Sequence, residues 1–166
     1  MSEIKKRATA VKSAAIVADP ASFNHVAEIA KLDLIQMNGC TYSVKPRFFT
    51  EQKNVKMSFD RRTSSVECVK ECTSVFGFFT YSVDGKIGNS KVLSCSSQFM
   101  VAYSVNEECQ PDALKAFCER TGMLAAYAYF RGLFANLASL SNIELPPLPM
   151  VNFQPMRKPA ESLDKA

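Results

Sequence analysis

A chain of 166 residues, 47% hydrophobic and 22% charged, is long enough to bury a core and too apolar to be disordered. Its net charge of +4 is matched by a single stretch, 45–62, where Lys45, Arg47, Lys53, Lys56, Arg61 and Arg62 stand against Glu51 and Asp60. Six cysteines that form no two close pairs, with His25 the only histidine, exclude the common four-ligand zinc patterns and point to free thiols in a reducing compartment.

Residues 1–19 are small and polar and read as a flexible segment ending at Asp19 and Pro20. Lys5, Lys6 and Arg7 suit the start of an export signal, but Lys12 breaks the next stretch and the apolar run 14–18 is too short for one. No stretch reaches the roughly 20 apolar residues of a membrane span. These features predict a cytoplasmic chain without membrane insertion. A helix is expected over 20–31, opened by Pro20 and carrying Phe23, Val26, Ala27 and Ala30 at helical spacing.

From 32 to 105 the pattern changes to strands. The clearest, 92–105, sets Leu93, Cys95, Phe99, Val101, Tyr103 and Val105 on one face against serines and Gln98 on the other. A second strand over 72–83 places Phe76 and Phe78 opposite Val75, Phe79 and Tyr81, and Asp84-Gly85 with Gly88-Asn89 supply the turn. Residues 34–47 and 54–65 are weaker strand candidates. Four strands with short connections predict an antiparallel meander.

After residue 109 the period becomes helical. Pro111 and Asp112 suit a first helical turn, and a single long helix is expected over 112–140. Its later turns are apolar almost all round, more than one small sheet covers. Gly122, Ala126, Ala128, Phe130 and Gly132 therefore stand as candidate residues for helix packing in a self-associated assembly. The segment 143–153, Ile-Glu-Leu-Pro-Pro-Leu-Pro-Met-Val-Asn-Phe, has too many prolines for a helix and too many apolar side chains for a solvated tail. It is an extended segment that packs on something, either lining a groove or strapping the core. The polar residues 154–166 read as a disordered tail, which leaves 20–153 as one domain.

The chemistry of catalysis is not apparent. There is no phosphate-cradling glycine loop, nucleophile elbow or metal-ligand pattern, so neither an enzyme nor a cofactor is expected. Cys118, beside Glu119 and Arg120, sits on the apolar stripe and reads as a core residue. His25 reads as a surface residue. The basic 45–62 stretch, interleaved with Phe48, Phe49 and Phe59, supports two readings: a nucleic-acid-binding patch, or a strand protected by charge.

The order of elements over 32–153 and the ending Leu148-Pro149-Met150-Val151-Asn152-Phe153 resemble the SecB chaperone family. The resemblance implies an α+β fold with a four-stranded antiparallel sheet followed by a long C-terminal helix. It also implies a homotetramer built as a dimer of dimers, with helices sandwiched between sheets. The function implied is that of an ATP-independent holdase for unfolded or preprotein polypeptides in protein export. Apolar grooves hold the client in that family, and Phe76, Phe78, Phe99, Tyr103, Leu145, Leu148, Met150, Val151 and Phe153 are the candidates here. Three departures bear on the partner. The strand region is basic, prolines 155 and 159 interrupt any helix after Phe153, and the tail lacks a Cys/His cluster. Client binding therefore carries over more directly than docking to SecA, and guarding an aggregation-prone antitoxin is the alternative role.

Overall fold

The computed structural model describes residues 18–69, 71–145 and 147–148. The expected loose start over 1–17 and tail over 154–166 lie outside these residues. Helix α1 (Pro20–Ile29) leads into strand β1 (Lys31–Val44), then into a short helix α2 (Arg47–Thr50) and a 3₁₀ turn (Gln52–Asn54). Strands β2 (Lys56–Val69), β3 (Ser74–Ile87) and β4 (Ser90–Ser104) come next. Helix α3 (Pro111–Phe117), a π-helical turn (Cys118–Gly122) and helix α4 (Met123–Leu140) complete the order of elements.

The strands form one antiparallel sheet in the order β1-β4-β3-β2, an α+β arrangement with helices on one face. β2, β3 and β4 make the expected meander. β1 instead lies beyond β4, so the chain crosses the end of the sheet between residues 45 and 55. Three strand spacings are about 14 Å, well within reach of that connection, so nothing in its length alone distinguishes a crossing from a hairpin. The crossing is held by buried Phe48 and by the Lys45 amide, which donates to the Val92 carbonyl at 2.8 Å. Residues 45–47, expected as strand, belong to this crossing.

Alternation sorts the side chains. Val75, Phe79, Tyr81 and Val83 of β3, with Cys95, Phe99, Val101 and Tyr103 of β4, form the buried face under the helices. Phe76, Phe78, Met100 and Ala102 lie half-buried on the opposite face. β3 runs on through Ile87, and a two-residue turn with Gly88 at φ 57 joins it to β4, the left-handed conformation such a turn requires. Asp84 and Gly85, expected in the turn, instead pair with Ser94 and Leu93. The strand needs glycine at 85 for space: a Cβ there would lie 3.0 Å from Val55 and 3.1 Å from Leu93.

Asp19 caps α1, its carboxylate accepting from the Ser22 amide at 3.1 Å, and Pro20 fits the first turn. Phe23 of α1 meets Phe117 of α3 at 5.9 Å, and Phe117 meets Tyr103 of the sheet at 5.1 Å. His25 is a surface residue whose ring nitrogen hydrogen-bonds Glu107, tying α1 to the loop after β4. The long helix expected over 112–140 is divided by the π turn, where the Thr121 hydroxyl donates to the Phe117 carbonyl at 2.6 Å. The divided helix still lies flat on the sheet because the wholly buried Phe79 ring fits between Gly77 and Gly122. A Cβ at those positions would lie 2.7 Å and 2.8 Å from the ring.

Replacing Gly122 with alanine forces that ring to move within a filled core, and overpacking of this kind costs about 1–3 kcal/mol. Gly122→Ala is expected to lower the urea midpoint at fixed protein concentration. Gly132→Ala, with nothing within 4 Å of its added Cβ, is expected not to lower it.

Candidate functional site

The helix α4 turns Ala126, Tyr127, Phe130, Phe134 and Ala138 toward the sheet. At the centre Phe130 stacks on Tyr81 at 5.4 Å, while Phe59 of β2 packs on Tyr127 at 5.4 Å. The Tyr81 hydroxyl donates to the Met123 carbonyl, joining the sheet to the first turn of α4, and burial pushes its pKa up. The rest of the helix surface faces outward: Ala128, Tyr129, Gly132, Ala135, Asn136, Ser139 and Leu140 are exposed, Leu140 at 84%.

The end of α4 sets the site. Asn142 takes a left-handed conformation (φ 52), its amide donates to Ser139, and the Ile143 amide donates back to Ala138 at 2.9 Å. This pair of bonds, with a buried apolar residue just after the left-handed one, is a Schellman cap, and it reverses the chain over its own helix. Residues 142–145 and 147–148 thus form a strap, called below the 142–148 strap. The side chain of Gln52 donates to the Glu144 carbonyl at 3.4 Å, tying the strap to the crossing segment.

Between the strap and the outer face of α4 runs an open groove of about 830 Å³. Ala128, Gly132, Ala135 and Ala138 form a smooth wall, Leu145, Pro147 and Leu148 the opposite one, and Arg131 and Glu144 are the charged groups on it. A smaller apolar pocket of about 220 Å³ continues beneath the strap toward Met57, Phe59 and Val83. Small residues along a helix leave room for another backbone to approach, and such a concave apolar surface is where a ligand chain packs.

The expected site residues separate into distinct locations. Leu145 and Leu148 line the groove, with Ala128 and Gly132 on its helix wall. Met150, Val151 and Phe153 lie outside the described residues. Phe76 and Phe78 pack edge to face at 5.8 Å on the far side of the sheet, away from the groove. Phe99 and Tyr103 are 3% and 6% exposed under the helices, so they hold the core and present no surface to a ligand. Gly122, Ala126 and Phe130, read from sequence as packing another subunit, are buried against this chain's own sheet. The reason is common to these last five: an alternating strand or an apolar helix shows that a residue is covered, not what covers it.

Arg131, Ala135, Ser139 and Asn142 also line the groove and were not singled out from sequence. Two carried a readable signal. Arg131 is the one charged residue of α4, and Asn142 just before Ile143 is a helix-stop pattern.

Three of the cysteines, Cys68, Cys95 and Cys118, behave as structural groups. Burial pushes the Cys118 and Cys95 thiols up to about 12 and Cys68 to about 11. Such thiols stay protonated at neutral pH and are poor nucleophiles. Arg120 lies 5.6 Å from the centroid of the Phe23 ring. No group of three or more metal-ligating side chains occurs among the described residues.

No protein-family model matches the sequence, and no curated protein does. Among solved structures, the fold is similar to a SecB-like chaperone of Mycobacterium tuberculosis, solved in complex with a ChAD peptide from the HigA1 antitoxin. The two superpose with a TM-score of 0.65 over 82% of this chain and 99% of that one, at 14% identity. The fold is therefore SecB-like.

The cap at Asn142 is what aims the strap. Asn142→Val places a β-branched residue in a left-handed conformation and is expected to cost about 1–3 kcal/mol. Limited proteolysis should then cut sooner within 142–148. Asn142→Gly, which suits that conformation, should leave both stability and cleavage unchanged.

Proposed function

We propose that this protein is an ATP-independent holdase that binds extended segments of unfolded polypeptide in the groove between α4 and the 142–148 strap. The observation that carries the reading is the groove itself, an open apolar channel beside a helix face of small residues. An extended chain fits such a channel along its length, and its side chains enter the wall over Gly132, where nothing lies within 4 Å of an added Cβ. Binding of this kind needs no nucleotide, because a protein that holds the unfolded state draws the folding equilibrium toward it by mass action. The SecB-like fold supports the reading, and so does the polypeptide nature of the ligand in the mycobacterial structure.

That structure also favours a narrower second reading, in which the client is one dedicated aggregation-prone partner such as an antitoxin. General export through SecA and a dedicated client use the same groove and differ in the breadth of sequences accepted. The nucleic-acid reading has less support. Of the three phenylalanines in 45–62, Phe48 is buried and Phe59 packs on Tyr81, Tyr127 and Phe130, which leaves Phe49 alone facing solvent. Base stacking requires exposed rings.

For assembly we propose a homotetramer formed as a dimer of dimers. The unequal charge of the two sheet edges supports this reading. β2 carries Lys56, Asp60, Arg61, Arg62 and Glu67, exposed charges of the kind that block edge pairing. β2 also exposes Met57 and Val69, whereas β1 presents Leu32, Leu34 and Met37 beside only two charges, Lys31 and Asp33, and is the edge better suited to another copy. Among the described residues no helix is long and apolar enough to cross a membrane.

The test is suppression of aggregation, read as light scattering from a denatured protein diluted without ATP. The wild-type chain is expected to suppress scattering near stoichiometry. Gly132→Leu fills the groove wall while relieving a helix-interior glycine, a change worth up to about 1 kcal/mol of added stability. Suppression should fall at least about fivefold, with no loss of folding stability and no change in elution volume. An unaltered Gly132→Leu protein would remove the groove from the client site, and a wild-type protein that suppresses nothing would remove the holdase reading.

A further inference from the structure

The strap ends at the groove itself. Leu148, its last described residue, lines both the groove and the inner pocket beneath the strap. From there the sequence continues Pro149-Met150-Val151-Asn152-Phe153, three apolar side chains and no charge among five residues. Proline at 149 disfavours helical backbone at Leu148, and Leu148 is not helical. An apolar stretch thus begins where an apolar surface stands open, with Ala128, Gly132 and Ala135 exposed along the wall.

Length and charge both suit that surface. Five extended residues reach about 17 Å. The helix wall from Ala128 to Ser139 is about 16 Å long at the rise of an α-helix. The groove lining holds one cation, Arg131, and one anion, Glu144, so it carries no net charge, and neither does 149–153. Attachment at Leu148 makes any contact intramolecular, with an effective concentration on the order of millimolar. Even a contact of millimolar affinity is then half occupied, and a client has to compete with it.

We propose that the chain's own segment 149–153 plugs the groove when no client is bound, with Met150, Val151 and Phe153 against Ala128, Gly132 and Ala135, and that a client binds by displacing it. This rests on the holdase reading and adds a means of regulating the same site. It reverses the sign expected of these three residues. As client contacts they would strengthen binding, whereas as a plug they weaken it.

The first experiment measures fluorescence anisotropy of a labelled peptide of Phe, Leu and Val with the full chain. The triple variant Met150→Ser, Val151→Ser, Phe153→Ser is expected to bind it about fivefold more tightly than the wild type, with an unchanged urea midpoint. Equal or weaker binding by a folded triple variant would overturn the plug. The second experiment needs no client: p-benzoylphenylalanine replaces Phe153, and the full chain is irradiated alone. The expected product is a crosslink within one chain to the 128–139 stretch, which diminishes as unlabelled peptide is added. A crosslink to another copy, a crosslink elsewhere in the chain or none at all would overturn the inference, whether or not the triple variant folds. Failure of both wild type and triple variant to bind the peptide would remove the holdase reading, and the crosslink formed without client would then decide the plug alone.

Discussion

The constraint from which the site arises is geometric. α4 is an 18-residue helix with apolar or small residues around most of its circumference, and a four-stranded sheet reaches only one of its faces. Ala126, Tyr127, Phe130, Phe134 and Ala138 satisfy the sheet. What remains outward is covered in part by the strap that the Asn142 cap folds back, and the uncovered part is the groove. A longer strap or a wider sheet would remove the groove, so the surplus apolar surface on α4 is the feature to which the proposed binding role attaches.

The sheet below is built to hold that helix rigidly while treating its two edges differently. Phe79 between two glycines and the Tyr81 hydroxyl on Met123 fix the π turn and the first turn of α4 from beneath. The more highly charged β2 edge lies on the groove side and the less charged β1 edge opposite.

Much of the architecture was legible in the sequence because it rests on local periodicity. Strict alternation in β3 and β4, the first-turn prolines of α1 and α3 and the apolar stripe of α4 are each written within a few residues. Strand order was not, since the 45–55 connection is compatible with either edge of the sheet. The π turn was hidden because Gly122 is recognisable as a necessity only once Phe79 is seen packed against it. At the site, Leu145 and Leu148 stood out by being apolar among prolines, whereas Phe99 and Tyr103 were drawn in by residue type alone. Arg131 was overlooked although a lone charge in an apolar helix is a visible departure from pattern.

The most direct test of the central claim is to ask which face of the molecule touches a client. A photoreactive amino acid would be placed at Gly132, in the groove, and separately at Phe78, on the far side of the sheet, and each protein irradiated with an unfolded client. The account predicts strong crosslinking from position 132 and little from position 78. Crosslinking from position 78 with none from position 132 would contradict it and move the binding surface to the opposite side of the sheet.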